Sequence, residues 1–298
     1  MLRRGYEACP ATANAPGVAS THGKLFLTAV NRRDDEPDPT VFPWSLPLVR
    51  RFARLEFRAR VTFFVGENGS GKSTLLEALA VAADAVALGG RDLQSDPTLG
   101  AARLLAAGLS LSRYGRPRAK SFLRAEDAFG YTQRLAREMQ QLGETAAGFA
   151  GSRAYAYIAA QRQALGARYG ADPDARSHGE TFLALLAARL VPAGLYFLDE
   201  PETPLSPVRV LGLMSILMDA ADAGSQFVIA THSPILMALP GAALLHFAEG
   251  DIRSIAYDEI EHVRVTRDFL NAPERYLKHL SPPSREVQDG ARGISRRR

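Results

Sequence analysis

The 298-residue sequence predicts an α/β fold whose central sheet is largely parallel. Two short runs, Leu195–Leu198 and Gln226–Thr231, are almost continuously apolar, which is typical of strands buried on both faces of a parallel sheet. A third apolar run, Val61–Val65, leads into a glycine-rich loop and then into a stretch with the apolar spacing of a helix. Because strands and helices alternate in this way, we expect a layered α/β domain.

The glycine-rich loop has the residue pattern of a phosphate-binding site. Its octapeptide GENGSGKS matches G-x-x-x-x-G-K-[ST] without a mismatch. Glycines let backbone N–H groups wrap around an anion, and the helix that begins near Lys72 adds its positive N-terminal end. Lys72 is expected to contact the β- and γ-phosphates, and the Ser73 hydroxyl to coordinate Mg²⁺. The predicted nucleotide-binding residues are Gly66, Glu67, Asn68, Gly69, Ser70, Gly71, Lys72, Ser73 and Thr74.

Polar residues follow the two buried strands. Asp199-Glu200 comes directly after Leu198, and His232 comes directly after Thr231. The carboxyl ends of parallel strands are where α/β proteins bind ligands. We therefore predict that Asp199 holds Mg²⁺ beside Ser73 and that Glu200 accepts a hydrogen bond or a proton from the attacking water. His232 is predicted to contact the γ-phosphate or to orient that water.

Composition and charge exclude several classes of protein. The formal net charge is +4, and the single cysteine, Cys9, excludes an internal disulfide framework and a cysteine-based zinc site. Neither a signal peptide nor an apolar run of membrane-spanning length is predicted, so we expect a cytoplasmic protein without membrane insertion. Residues 1–22 are expected to be a disordered arm and residues 281–298 a disordered basic tail, which leaves one domain over residues 23–280.

Within that domain, residues 89–174 are predicted to form an inserted, mostly helical lobe. Arg118–Glu126 is the best strand candidate in the lobe, and helices are predicted over Glu126–Gly143 and Arg153–Gly166. The basic residues of this region either bind a polyanion or form a solvated charged face, and the second interpretation is favoured. These residues are Arg113, Arg116, Arg118, Lys120 and Arg124.

Shorter patterns predict the flanking elements. Lys24–Val30 is predicted to be a strand, and Leu55–Phe57 a strand paired with Val61–Val65. Trp44, the one tryptophan, either stacks on adenine or packs in the core, and the core is favoured. A last helical stretch is predicted over Glu261–Leu280.

A fourth motif, Ser177-His178-Gly179-Glu180, opens an alanine-rich helix. The order of the four motifs resembles the ATP-binding-cassette (ABC) ATPases, and more closely the stand-alone AAA-type predicted ATPases related to RecF, SMC and OLD-type heads. The resemblance implies a P-loop NTPase three-layer sandwich with an antiparallel N-terminal β portion. Gly66–Thr74 would be Walker A, Leu195–Glu200 would be Walker B, and His232 would be the switch histidine.

The same resemblance implies an ATP-dependent homodimer. In it, Ser177, Gly179 and Glu180 would form a signature loop that completes the ATP site of a second copy. The motif departs from the family at His178, where glycine is common, and Asp199-Glu200-Pro201-Glu202 is similar to the DEPE form of RecF- and OLD-like proteins. The Q-loop has two candidate positions, Gln94 and the segment ending at Glu126.

These motifs predict a Mg²⁺-dependent ATPase that works as a nucleotide-driven dimerisation switch; by resemblance alone, the process is DNA repair or defence. A P-loop phosphotransferase acting on a small molecule is an alternative, with Arg113–Arg124 as its arginine-bearing lid. A second alternative is a DNA-binding protein that only holds nucleotide; scattered arginines are the sole support for nucleic acid as a partner. A GTPase is disfavoured because no Asn-Lys-x-Asp motif occurs.

Overall fold

A computed structural model describes five stretches of the chain, and everything below refers to them. The chain divides between Ile255 and Ala256 into two compact units. The predicted arm over residues 1–22 and the predicted tail over residues 281–298 lie outside the described stretches. Those stretches are residues 24–33, 38–88, 92–169, 178–248 and 250–280.

The described strands form two sheets, one of three strands and one of seven. They are β1 (Leu27–Arg32), β2 (Arg54–Glu56), β3 (Val61–Gly66), β4 (Val86–Ala87), β5 (Leu109–Arg113), β6 (Lys120–Arg124), β7 (Leu195–Asp199), β8 (Gln226–Ala230), β9 (Ala243–Ala248) and β10 (Asp251–Ser254). The smaller sheet is antiparallel with the order β2-β1-β5. The larger sheet has the order β10-β9-β3-β8-β7-β6-β4, and each neighbouring pair is parallel except β10 with β9.

Helices alternate with these strands. They are α1 (Pro47–Arg51), α2 (Lys72–Ala82), α3 (Gly100–Ala107), α4 (Ala125–Gly148), α5 (Arg153–Tyr169), α6 (His178–Arg189), α7 (Pro207–Asp222), α8 (Pro234–Met237), α9 (Glu261–Asn271) and α10 (Pro273–Leu280). The predicted α/β fold, with a largely parallel sheet and an antiparallel β portion, is confirmed.

The core lies on both faces of the larger sheet. Strands β7 and β8 are buried almost throughout, and the rings of Tyr196 and Phe227 stack with centroids 5.2 Å apart. Helix α2 buries Leu75, Leu76 and Leu79 completely. Each such side chain contributes about 1.5–3 kcal/mol of burial free energy, so this packing holds the glycine loop at a fixed place above the sheet.

A buried amide joins the two sheets. The Gln226 side chain accepts a hydrogen bond from Leu27 N at 2.9 Å and donates one to Leu27 O at 2.8 Å. Both backbone groups of Leu27 are satisfied in this way, and Gln226 has no exposed surface. The sequence pattern of β8 gave no sign of this role, because the two residues are far apart in the chain.

Several predicted elements differ from the structure. The strand containing Leu55 pairs with β1 and not with Val61–Val65, so that prediction was wrong. The predicted lobe over residues 89–174 contains β5 of the smaller sheet and β6 of the larger one, and its long helices α4 and α5 begin only at Ala125. Trp44 packs against the hydrophobic core, where a Cβ at Gly108 would lie 2.4 Å from its ring.

The second unit contains α9 and α10, where one helical stretch was predicted. The break falls at Ala272, which has φ −150° and ψ 65° and precedes Pro273. A residue before proline avoids the helical region because its backbone would clash with the proline ring. Within the unit the rings of Phe269 and Tyr276 meet edge to face, 5.7 Å apart, and Arg267 donates to Asp258 at 2.8 Å.

Candidate active site

The glycine loop joins β3 directly to α2. Its tip, Glu67–Gly69, is exposed, whereas Lys72 is only 5% exposed. Gly66 and Gly71 have φ of +142° and +95°, in the region that favours glycine, and Gly71 is the residue before α2 begins. The tip of the loop is therefore exposed, whereas Gly71 and Lys72, where α2 begins, are buried.

The Lys72 ammonium lies inside this loop. Its Nζ donates hydrogen bonds to Gly66 O at 2.9 Å and to Glu67 O at 2.6 Å. Burial is the largest influence on its pKa and lowers it, while the carboxylates of Glu200, Asp199 and Glu67 act in the opposite direction. A phosphate bound at the loop would supply further negative charge to this partly desolvated cation.

Ser73 and Asp199 meet at the carboxyl edge of the sheet. Ser73 Oγ donates to Asp199 Oδ1 at 3.0 Å. Burial raises the pKa of Asp199 to about 7; the Ser73 hydrogen bond opposes this shift, and Glu77 and Glu200 add to it. Mg²⁺ in nucleotide sites is bound by one or two protein oxygens together with phosphates and water. The hydroxyl and the poorly solvated carboxylate fit that cation.

Asp199→Asn is expected to stabilise the metal-free protein at pH 8 by roughly 2 kcal/mol. The folded pKa, about 7, lies above the ordinary value of 3.8, so the folded state holds a proton that the unfolded state has lost. The stability of the wild type therefore falls between pH 4 and 7, and the variant avoids that fall. Urea unfolding of the variant and the wild type at pH 4.5, 6 and 8 measures the difference in their free energies of unfolding. A difference that is the same at all three pH values would contradict the burial argument.

Glu200 and His232 lie side by side beyond the ends of β7 and β8. His232 Nε2 is 3.8 Å from Glu200 Oε1, and their side chains are 24% and 46% exposed. Glu200 has φ +47°, and backbone hydrogen bonds hold it there: Glu200 N donates to Ala230 O, and Thr203 N donates to Glu200 O. A non-glycine residue in this conformation is strained, and such strain concentrates at functional sites.

Glu202 is a residue of this edge to which the sequence motifs assigned no role. Its Oε1 accepts hydrogen bonds from Thr231 Oγ1 at 2.5 Å, His232 N at 2.8 Å and Ser233 N at 3.1 Å. Burial raises its pKa. The one signal in the sequence was an acid at the fourth position of Asp-Glu-Pro-Glu, beside the two acids that were assigned roles.

The predicted signature loop is only partly described. Ser177 and the side chain of His178 lie outside the described residues. Gly179 is buried, and a Cβ there would lie 3.1 Å from Pro204 O. Glu180 is exposed and accepts a hydrogen bond from Arg209 at 2.8 Å. Gly179 thus packs against its own chain, and Glu180 faces solvent at the start of α6.

One of the two Q-loop candidates, the segment ending at Glu126, lies close to the site. It follows strand β6, which ends at Arg124, and Arg124 is paired in register with Asp199.

Three of the five basic residues form hydrogen bonds or ion pairs within the chain. Arg124 donates to Glu77 and, at 3.0 Å, to Thr98 Oγ1. Arg113 donates to Ala82 O, and Lys120 lies 3.4 Å from Asp84. These three cations are bound within the chain, whereas Arg116 and Arg118 are exposed.

A glycine loop between β3 and α2, with an acid ending β7 and a histidine after β8, defines the class of P-loop nucleotide-binding proteins. Residues 47–101 match a family model described as "AAA domain". Residues 180–238 match one described as "AAA domain, putative AbiEii toxin, Type IV TA system". These two segments of the chain are thus similar to AAA domains.

Two solved structures align with most of this chain at low sequence identity. The SMC head domain of Pyrococcus furiosus, solved with an extended coiled coil and bound to the C-terminal domain of ScpA, is 13% identical with a TM-score of 0.44, covering 86% of this chain and 100% of that one. CbiO1 of Clostridium perfringens, part of the ABC transporter complex cbiONQ, is 15% identical with a TM-score of 0.43, covering 86% and 99%. No curated protein matches significantly. No helix within the described stretches has both the length and the apolar character to cross a membrane.

Proposed function

We propose that this chain binds ATP with Mg²⁺ and hydrolyses it. The observation that carries the proposal is the gathering of Lys72, the Ser73–Asp199 pair and the Glu200–His232 pair at one edge of the sheet. These are the groups that phosphoryl transfer requires: a cation for the phosphates, oxygen ligands for a metal and an acceptor for the proton of water.

In the proposed reaction, water attacks the γ-phosphorus, the bond to the β,γ-bridging oxygen breaks, and ADP and phosphate leave. Glu200 accepts a hydrogen bond or the proton of the attacking water, and His232, 3.8 Å from it, donates to the γ-phosphate or orients the water. Lys72 balances the negative charge of the phosphates. When bound by Ser73 and Asp199, Mg²⁺ supplies positive charge that stabilises the same oxygens.

We further propose that ATP drives the pairing of two copies. The resemblance of the four motifs to ABC-like heads supports this step. The description of the matched family model, a toxin of a toxin–antitoxin system, favours a role in defence over one in DNA repair.

Nucleic acid as a partner gains no support from the basic residues, because Arg113, Lys120 and Arg124 are paired within the chain.

Lys72→Ala is expected to weaken ATP binding by about 10- to 100-fold, because a charge-assisted hydrogen bond contributes roughly 1.5–3 kcal/mol. Calorimetric titration with ATP and Mg²⁺ measures the affinity, and phosphate release measures turnover. Lys120→Ala is the matched control, since it removes a lysine whose partner is Asp84. A wild-type protein that neither binds nor hydrolyses ATP would contradict the proposal. Transfer of phosphate to a small acceptor instead of water would favour a phosphotransferase.

A further inference from the structure

Glu202 connects the two turns that carry the proposed reacting residues. It follows Glu200 by two positions in the turn after β7, yet its carboxylate points to the turn after β8. There a single oxygen, Oε1, accepts from the Thr231 hydroxyl and from the backbone N–H groups of His232 and Ser233. Three donors on one carboxylate oxygen tie the two turns together.

These hydrogen bonds hold His232 on one side, and the start of α8 holds it on the other. Ser233 Oγ accepts a hydrogen bond from Leu236 N at 3.2 Å, which caps α8. Ser233 N also donates to Thr231 Oγ1 at 3.0 Å. The backbone of His232 is therefore fixed between a capped helix and the Glu202 carboxylate, and its Nε2 lies 3.8 Å from Glu200 Oε1.

Burying a carboxylate is costly unless hydrogen bonds or a cation compensate. Oε2 of Glu202 is buried and has no hydrogen-bond partner among the described residues. The neighbouring acid Glu200 adds an unfavourable charge. A turn can form without a buried carboxylate. The unfavourable burial of Glu202 therefore indicates that the position of His232 serves a purpose other than local stability.

We propose that Glu202 is a positioning residue for the ATPase reaction: it sets the distance between His232 and Glu200 by binding the backbone of His232. This role rests on the proposed hydrolysis of ATP. Glu202 itself contacts neither the glycine loop nor Asp199 through any hydrogen bond in the described part of the chain. Its removal should therefore lower the turnover number and leave nucleotide binding nearly intact.

The first test separates turnover from binding. Glu202→Ala is expected to lower kcat about 10- to 100-fold, the effect of misplacing a catalytic group, with the ATP dissociation constant changed less than about threefold. Glu202→Gln keeps an acceptor oxygen of the same shape and is expected to restore kcat to within a few-fold of the wild type. Glu56→Ala, a surface glutamate paired with Arg54 and Arg58, is the matched control.

The second test asks whether Glu202 acts through His232. In the double variant Glu202→Ala, His232→Ala, kcat should equal that of His232→Ala alone, because residues that act as a unit are not additive. A loss of kcat in the double variant equal to the product of the losses in the two single variants would overturn the positioning role. So would wild-type turnover in Glu202→Ala, or a Glu202→Gln variant as slow as Glu202→Ala.

Amide hydrogen exchange supplies a measurement that does not depend on activity. In the nucleotide-free protein, Glu202→Ala should speed exchange in the peptide containing His232 and Ser233, whereas Glu200→Gln should not. Unchanged exchange would overturn the inference even if turnover fell. Absence of ATPase activity in the wild type would instead overturn the proposed function, so the two failures are distinguishable.

Discussion

Glu200→Gln is expected to lower the ATP turnover number by about 10²–10⁴-fold, the usual contribution of a general acid–base group. Glutamine keeps the shape of the side chain but is a poor acceptor of the proton of water. The variant should fold like the wild type, because backbone hydrogen bonds with Ala230 O and Thr203 N hold the left-handed backbone of Glu200. The hydrogen bond that the carboxylate accepts from Thr203 Oγ1 at 3.4 Å can also be accepted by the glutamine oxygen. Phosphate release under saturating ATP and Mg²⁺ measures the effect.

The same variant tests the proposed dimer. It should bind ATP with an affinity close to that of the wild type and accumulate as a dimer, because the nucleotide that joins two copies is no longer consumed. Sedimentation with and without ATP reports the oligomeric state, and Lys72→Ala, which weakens binding, should stay monomeric under the same conditions. A Glu200→Gln variant that turns over ATP at the wild-type rate would remove Glu200 from the reaction; an inactive but monomeric one would contradict the dimerisation switch.

Gly66→Ala is expected to destabilise the protein by about 3 kcal/mol or more, since it combines a disfavoured φ with a backbone clash. Gly66 has φ +142°, and a Cβ there would lie 2.4 Å from the carbonyl oxygen of Phe247. That oxygen belongs to β9, the strand paired with β3 at this register, so it is backbone in a sheet and not the end of a flexible side chain. Urea unfolding followed by circular dichroism measures the loss.

Gly69→Ala is the matched control for this effect. It lies in the same loop with φ +78°, but a Cβ there meets nothing within 4 Å. Only the conformational strain applies, roughly 1–2 kcal/mol. Equal losses in the two variants would show that the approach of β9 to Gly66 contributes nothing to stability.

The parts of the site that lie in contiguous sequence were predictable. The glycine loop between a strand and a helix, and the acids that end β7, are short motifs whose chemistry depends on neighbouring residues in the chain. The pairing of Ser73 with Asp199 followed from one general rule, that parallel strands end at a common edge. The assignment of catalytic, nucleotide-binding and metal-binding roles to these residues stays a prediction that the experiments above test.

Features that depend on distant partners were missed or misplaced. The strand containing Leu55 was paired with the wrong neighbour, because its three residues carry no information about which strand they meet. Strand β6 was predicted within Arg118–Glu126, but it was placed in a helical lobe, although it lies beside β7 in the larger sheet. Gln226 was predicted only as part of a strand, because its partner Leu27 lies far away in the sequence.

The sequence alone determined the fold class and the position of the glycine loop, since the hydrophobic periodicity and the spacing of glycines can be read from a few neighbouring residues. Only the tertiary structure decided which side chains meet at the sheet edge. It placed His232 Nε2 3.8 Å from Glu200, and it brought Glu202 to the turn after β8. The physical reason is that these contacts form where separate strands end together, and that arrangement depends on the crossover connections and packing of the whole sheet.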